Sequence, residues 1–248
     1  MSEPRGWHQK TMSYLPLCKL GLAHHVIGFE PLEERLTERA SVENGTSLTL
    51  LPYAVGDGRP HTFYINNEDA TSSLYPLNEA FCSAFEGLRT LKTVRETKIE
   101  TVRLDDALVQ YSIPIDFLKL DIQGSELTAL AGAEAALERT AVVHCEVEFA
   151  PIYEGQPLYP EIQAFLNAKG FALIDILVSH RYAHESPSHI RTQIASSGLM
   201  QSFSARISRD ASFCRKRSRP SLSIKNSPWR NICSIGHLRF RTIIEAHE

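Results

Sequence analysis

The stretch Ile115-Asp116-Phe117-Leu118-Lys119-Leu120 is mostly apolar, and it runs into Asp121-Ile122-Gln123-Gly124-Ser125-Glu126, where a carboxylate, a glycine and a second carboxylate precede a helical pattern. So short an apolar run reads as a strand covered on both faces, the setting of a central strand in a parallel sheet. Parallel sheets need helices over their faces, so this one segment directs the chain toward an α/β architecture. It also locates chemistry, because ligands of open α/β sheets gather at the carboxyl ends of strands.

The surrounding chain keeps the same alternation. Val26-Ile27-Gly28-Phe29-Glu30 reads as a strand stopping at an acid, Pro31 opens a helix with Leu32, Leu36 and Ala40 on one face, and Asn44-Gly45 closes the unit. Residues 47–55 read as a second strand broken by Gly56-Asp57-Gly58, and residues 61–65 as β-rich. Residues 98–104 form a strand with one covered face, after which Asp105-Asp106 cap a short helix. The helix that follows Glu126 carries Leu127, Leu130, Ala131 and Leu137 as one stripe. A strand over 142–149, a helix over 159–169 ended by Gly170, and a strand over 171–177 complete the pattern. The expectation is one α/β domain over 26–185 with a mainly parallel sheet, preceded by an atypical segment, 1–25.

Beyond about Ser186 the periodicity fails. Through residue 199 the chain has 16 Lys+Arg against 26 Asp+Glu, a net of −10, whereas residues 200–248 have 10 against 3, a net of +7. Residues 186–248 therefore read as a basic, Ser/Arg-rich, poorly ordered tail. Its Arg215-Lys216-Arg217-Ser218-Arg219 run suits phosphate, but no recognition module accompanies it, so nucleic acid is not the expected partner. No apolar run approaches the roughly 18 residues of a membrane span, and Cys18, Cys82, Cys145, Cys214 and Cys233 include no CxxC pair. The chain reads as cytoplasmic, with reduced thiols and no membrane partner.

Three constellations can carry chemistry. Glu30 stands just past a strand, where a nucleotide-type site places an acid that accepts both hydroxyls of a ribose; the plainer reading is a carboxylate answering a helix dipole. Asp121, Gln123, Gly124 and Glu126 flank one crevice and suit a general base or a divalent metal, or else they cap the following helix. Lys119, on the face of Asp121, suits a paired cation. His144, Glu146 and Glu148 alternate with Cys145, Val147 and Phe149 and so share a face, which points to a lined site or to a wet edge strand. Their spacing is not a metal signature, so a metal stays an open question. His24-His25 reads as a solvated pair.

Taken in order, Val26-Ile27-Gly28-Phe29-Glu30-Pro31, Tyr53-Ala54-Val55-Gly56-Asp57, Thr71-Ser72-Ser73-Leu74, the segment 116–133, His144-Cys145-Glu146-Val147 and Gly170-Phe171 together resemble the FkbM family of S-adenosylmethionine-dependent methyltransferases, over about 26–175. The resemblance implies a Rossmann-like class I methyltransferase fold with a doubly wound, seven-stranded, mainly parallel sheet. It implies S-adenosylmethionine as cofactor and methyl transfer to a hydroxyl of a small metabolite, sugar or glycan. By position, Glu30 would hold the ribose, with Ala54, Val55 and Asp57 near the adenine. Asp121, Gln123 and Glu126 would face the methyl and the acceptor, Gln123 on the cofactor side, and Glu146 would join Asp121 and Glu126 as catalytic groups.

Two departures stand beside the resemblance. Such methyltransferases precede the acidic strand with another strand and a glycine-rich acidic loop, whereas residues 1–25 hold only Gly6, Gly21 and one acid, Glu3. The closing antiparallel hairpin of the family is not legible in 186–248. The expectation is a sheet incomplete at both ends, as a gene truncated at its start and shifted in frame near its end would leave. A non-catalytic remnant or binding module of the same fold is the alternative to the enzyme.

Overall fold

The structure, a computed structural model, describes residues 25–42, 48–111, 115–178, 182, 199–204 and 242–247. Among these, seven strands build the main sheet: β1 (His25–Phe29), β2 (Leu48–Leu51), β6 (Ile115–Asp121), β7 (Thr140–Val147), β8 (Ala172–Val178), β9 (Leu199–Ser204) and β10 (Thr242–His247). They lie in the order β2-β1-β10-β6-β7-β9-β8, and neighbours are parallel except where β9 runs antiparallel to both β7 and β8. A smaller sheet has the order β3-β5-β4, from β3 (Ala54–Val55), β4 (Pro60–Asn66) and β5 (Thr93–Val102).

β6 has a parallel neighbour on each side, and Phe117, Leu118 and Leu120 are fully buried. Its apolar run lacks a period of two because both faces are covered. The strand expected over 47–55 is instead divided between the two sheets. Pro52 has no N–H to give a ladder, and the Tyr53 N–H turns back onto the Leu51 carbonyl at 2.9 Å, so β2 ends and β3 starts again beside β5.

The helices are α1 (Glu33–Val42), α2 (Glu79–Cys82), α3 (Leu104–Ala107), α4 (Glu126–Ala131), α5 (Glu134–Glu138) and α6 (Tyr159–Ala168). The single helix expected after Glu126 is thus two, parted at Gly132. A Cβ there would lie 2.8 Å from the Gly56 carbonyl oxygen, and the Gly132 carbonyl accepts the Asp105 N–H at 3.0 Å. The Asp105 carboxylate caps the second helix, accepting from the N–H groups of Ala135 (3.1 Å) and Ala136 (2.8 Å). Asp105 thus lies inside α3, which begins at Leu104 behind Arg103 with no side-chain cap, and the capping expected of Asp105-Asp106 falls on α5 instead.

Ile27, Phe29, Leu118, Leu120, Val143 and Val147 of the main sheet pack with Leu130, Leu137, Ile162 and Leu166 of the helices into one core. A second cluster joins Leu77, Phe85, Leu88 and Leu91 to Ile152 and Tyr153. Through Tyr153 it abuts the turn that follows β6.

Within residues 186–248, where the sequence suggested little order and no closing hairpin, β9 and β10 are strands of the main sheet. β8 and β9 form an antiparallel pair, and β10 lies between β1 and β6 with Ile244 and Ala246 in the core. Leu199-Met200-Gln201-Ser202-Phe203-Ser204 has too few apolar residues for a periodicity argument, and its order comes from backbone pairing on both edges. The segment 1–24 and the remainder of 186–248 apart from β9 and β10 lie outside the described residues, as does His24. His25 begins β1, where its ring nitrogen Nε2 lies 3.0 Å from Thr49 Oγ1.

Candidate active site

Asp121 is the last residue of β6, and the chain then reverses through Gln123 at φ 48° and Gly124 at φ 96°. Left-handed backbone is ordinary for glycine and uncommon for glutamine, so the turn needs external support. Glu126 supplies it from α4: Oε1 accepts the Ile122 N–H at 2.8 Å and Oε2 accepts the Gly124 N–H at 2.9 Å. From the other side Ser73 Oγ donates to the Gln123 carbonyl at 2.6 Å. A side chain on Gly124 would also come within 3.3 Å of Gln156 Cβ and 3.5 Å of the Tyr153 ring.

With its backbone held this way, Gln123 spans the crevice. Its amide nitrogen donates to Glu146 Oε2 at 2.5 Å and lies 3.3 Å from Asp121 Oδ1, while its amide oxygen accepts from the Tyr153 hydroxyl at 3.1 Å. The Tyr153 hydroxyl also lies 2.9 Å from the Thr71 carbonyl, so the second cluster and the β6 turn share it. Behind this, buried Lys119 places its ammonium 3.1 Å from Asp121 Oδ2.

The electrostatics are lopsided. Burial comes first in raising the Glu146 carboxyl well above its ordinary range, followed by the like charges of Asp121 and Glu148. Burial, then Glu126 and Asp121, does the same to Glu148, which is 2% exposed. Glu126 is pushed up to about 7, chiefly by burial, against hydrogen bonds from the backbone of Ile122, Glu126 itself and Gly124 that favour its charged form. Burial and mutual repulsion thus favour the protonated forms of these carboxyls. Among the described residues no group of three or more His, Cys, Asp or Glu side chains is placed to hold a metal ion.

Glu30 stands at the end of β1, 3% exposed, with Oε1 accepting the Leu32 N–H at 3.0 Å. That contact is the helix-entrance role weighed above, made by the residue expected at the ribose. Ala54 and Val55 are buried in β3 opposite Thr101 and Val102 of β5. Asp57 is held within its own loop: Oδ1 lies 2.8 Å from His61 Nε2 and accepts the Arg59 N–H at 3.1 Å. Partial burial opposes ionisation there, but the His61 and Arg59 contacts prevail and lower its pKa.

Asp121, Gln123 and Glu146 are therefore brought together, and Glu126 braces them from beneath without sharing their hydrogen bonds. His144 is 5% exposed and lies level with Lys119, with the Phe117 ring edge-on to it at 5.8 Å. Sequence reasoning assigned no role to Tyr153, Ser73 or Gln156. Ser73 stood inside a segment that carried the resemblance, so a signal existed; Tyr153 stands in a loop with no period to mark it.

A family model described as the methyltransferase FkbM domain matches residues 6–173, more than half of the chain. Comparison with curated proteins and with solved structures finds no match. The matched range contains Glu30, the β6 turn and Glu146, so with the sheet that presents them at strand ends it supports one conclusion: the chain belongs to the FkbM methyltransferase family.

Proposed function

We propose that the chain is an S-adenosylmethionine-dependent methyltransferase that methylates a hydroxyl oxygen of a small metabolite or sugar, on a doubly wound class I methyltransferase sheet. Strand order supports the sheet reading, because from the centre the chain steps outward one way from β1 to β2 and the other way from β6 to β7. Such a reversal opens a crevice at the carboxyl ends of the strands.

The observation that carries the proposal is the Asp121, Gln123 and Glu146 constellation at those ends, 3.3 and 2.5 Å apart through the Gln123 amide. The residues present suit the cofactor: acidic groups at the strand ends would favour a cationic sulfonium, and the acid at the end of β1 suits a ribose diol. When bound, S-adenosylmethionine would supply an electrophilic methyl group. Glu30 would hold the ribose, and Ala54, Val55 and Asp57 would flank the adenine. Asp121 would take the proton of the acceptor hydroxyl, with Lys119 balancing its charge. Burial and the neighbouring acids favour the protonated form of Glu146, which counts against it as the base. Gln123 and Tyr153 fix the two carboxyls in one orientation, and fixed alignment of acceptor oxygen with methyl carbon is the main requirement of such a transfer.

Calorimetry with S-adenosylmethionine and S-adenosylhomocysteine tests the cofactor, and transfer of labelled methyl groups to a panel of hydroxylated metabolites and glycans tests the reaction. Binding at micromolar ligand is expected, together with loss of transfer by 100-fold or more in Asp121→Ala while binding holds within threefold. A folded chain that shows no heat with either ligand would leave a non-catalytic module of the same fold.

A further inference from the structure

Tyr75, Tyr153 and Tyr182 all belong to the second hydrophobic cluster or pack on it, and the mechanism above uses only Tyr153. Tyr153 is 2% exposed, and its hydroxyl is committed to the Gln123 amide oxygen and the Thr71 carbonyl. Tyr75 donates its backbone N–H to Ser73 Oγ at 3.0 Å, and that oxygen in turn donates to the Gln123 carbonyl at 2.6 Å. Tyr182 joins the cluster from beyond β8, outside the family match, which ends at residue 173. Unlike Tyr153, both Tyr75 and Tyr182 are only partly buried, so they retain surface that a ligand can touch.

The Tyr182 ring is fitted against Gly87. A Cβ there would lie 2.5 Å from Tyr182 Cδ1 and 2.8 Å from Cε1, closer than packed carbons approach. Gly87 is not among the glycines with positive φ, so room for the ring, and not backbone conformation, is what a side chain there would violate. Burial comes first in raising the Tyr182 phenol above its ordinary range, and of the charges acting on it Glu146 comes first, ahead of Glu68 and Cys82. The phenol is thus a neutral hydrogen-bond donor in the field of the carboxyl that Gln123 ties to Asp121.

A partly exposed tyrosine presents an apolar ring with a polar tip. Two of them beside acidic groups fit a compact ligand that is apolar across one face and hydroxylated around its rim. A pyranose has that form: its C–H groups, polarised by the ring and hydroxyl oxygens, lie on an aromatic face while its hydroxyls reach a phenol and carboxyls. An open-chain polyol carries the same hydroxyls but no fixed face, and ordering its rotors costs affinity.

We propose that Tyr182 and Tyr75 form the specificity wall of the acceptor site, and that the acceptor is a hexopyranose resting its C–H face on these rings with a hydroxyl on the Tyr182 phenol. Methylation of that sugar rests on the methyl-transfer reading; its recognition by the tyrosines does not.

Saturation-transfer NMR titrations of the full chain with a panel of methyl hexopyranosides and the matching open-chain alditols, in the presence of S-adenosylhomocysteine, read acceptor binding, and labelled methyl transfer reads turnover. At least one pyranoside is expected to bind about tenfold or more tightly than its alditol. Tyr182→Phe, which keeps the ring, should weaken that binding about tenfold. Its S-adenosylhomocysteine affinity should hold within about twofold and its kcat within about threefold, a split that general loosening of the fold would not give. Gly87→Ala should weaken pyranoside binding through the displaced ring, and should add nothing in a Tyr182→Ala background. Unchanged pyranoside affinity in Tyr182→Phe, an equal effect of Gly87→Ala in both backgrounds, or alditols bound as tightly as pyranosides would each overturn the proposal. So would a wild-type chain that binds S-adenosylhomocysteine and no pyranoside of the panel. Pyranoside binding that responds to these variants, in a chain that neither binds S-adenosylhomocysteine nor transfers methyl, would sink the methyl-transfer reading and leave the tyrosine wall standing.

Discussion

Glu126 shows how one side chain serves structure and electrostatics together. Both of its oxygens accept backbone N–H groups of the turn below Asp121, and its burial lifts its pKa from 4.5 to about 7. The folded state thus holds a proton that the unfolded chain has released by neutral pH. Stability from this group is full below pH 4.5 and declines as pH rises toward 7, by on the order of 3 kcal/mol. Glu126→Gln should be the less stable protein at pH 5, where one of the two N–H groups loses its acceptor, at a cost of about 1–3 kcal/mol. Between pH 5 and pH 8 the gap should narrow, because the variant cannot ionise. Denaturant titrations at the two pH values check this, and a gap that widens with pH would contradict it. That an acid stands in the first turn of α4 is legible in the sequence; that it turns inward, away from the crevice, depends on the positive φ values of Gln123 and Gly124 beside it.

At the scale of elements, backbone approach decides the joints. α4 and α5 part at Gly132 because the Gly56 carbonyl passes where a Cβ would be, at 2.8 Å. Gly132→Ala should therefore destabilise the protein by about 1–3 kcal/mol through overpacking, although alanine is the better helix former. Urea unfolding measures it, and an unchanged or higher midpoint would mean that the two segments do not meet there. The stripe Leu127, Leu130, Ala131 and Leu137 is readable from spacing alone. The break is not, since Gly56 is remote in sequence and only the folded chain brings its carbonyl to Gly132. The division of residues 47–55 at Pro52 had a local cause and could have been read from it.

Across the whole molecule, the two hydrophobic clusters divide the labour. The main core includes fully buried Leu118 and joins the sheet to its helices, whereas the second, with Leu88 at 2%, holds residues 77–91 and Tyr153 against the crevice. Leu118→Ala should cost roughly 2–5 kcal/mol of global stability. Leu88→Ala should act more locally, raising hydrogen exchange across 77–91 before the main sheet opens. Equal effects on all segments from both variants would show one cooperative unit. Lys119 and the acids around it lie within the main sheet, so their orientation depends on that core remaining closed.

The sequence by itself determined the α/β class, the central place of residues 115–121, the acids at the ends of β1 and β6, and the family. Those features follow from short apolar runs, alternation and residues adjacent in the chain, which are local properties. Only the tertiary structure decided that Gln123 ties Asp121 to Glu146, that Tyr153 and Ser73 hold Gln123, and that β10 separates Glu30 from Asp121. Each of these joins segments distant in the chain. Thr242-Ile243-Ile244 does carry a β-branched run, but which strands it joins depends on a ladder and a packed core that no local pattern encodes.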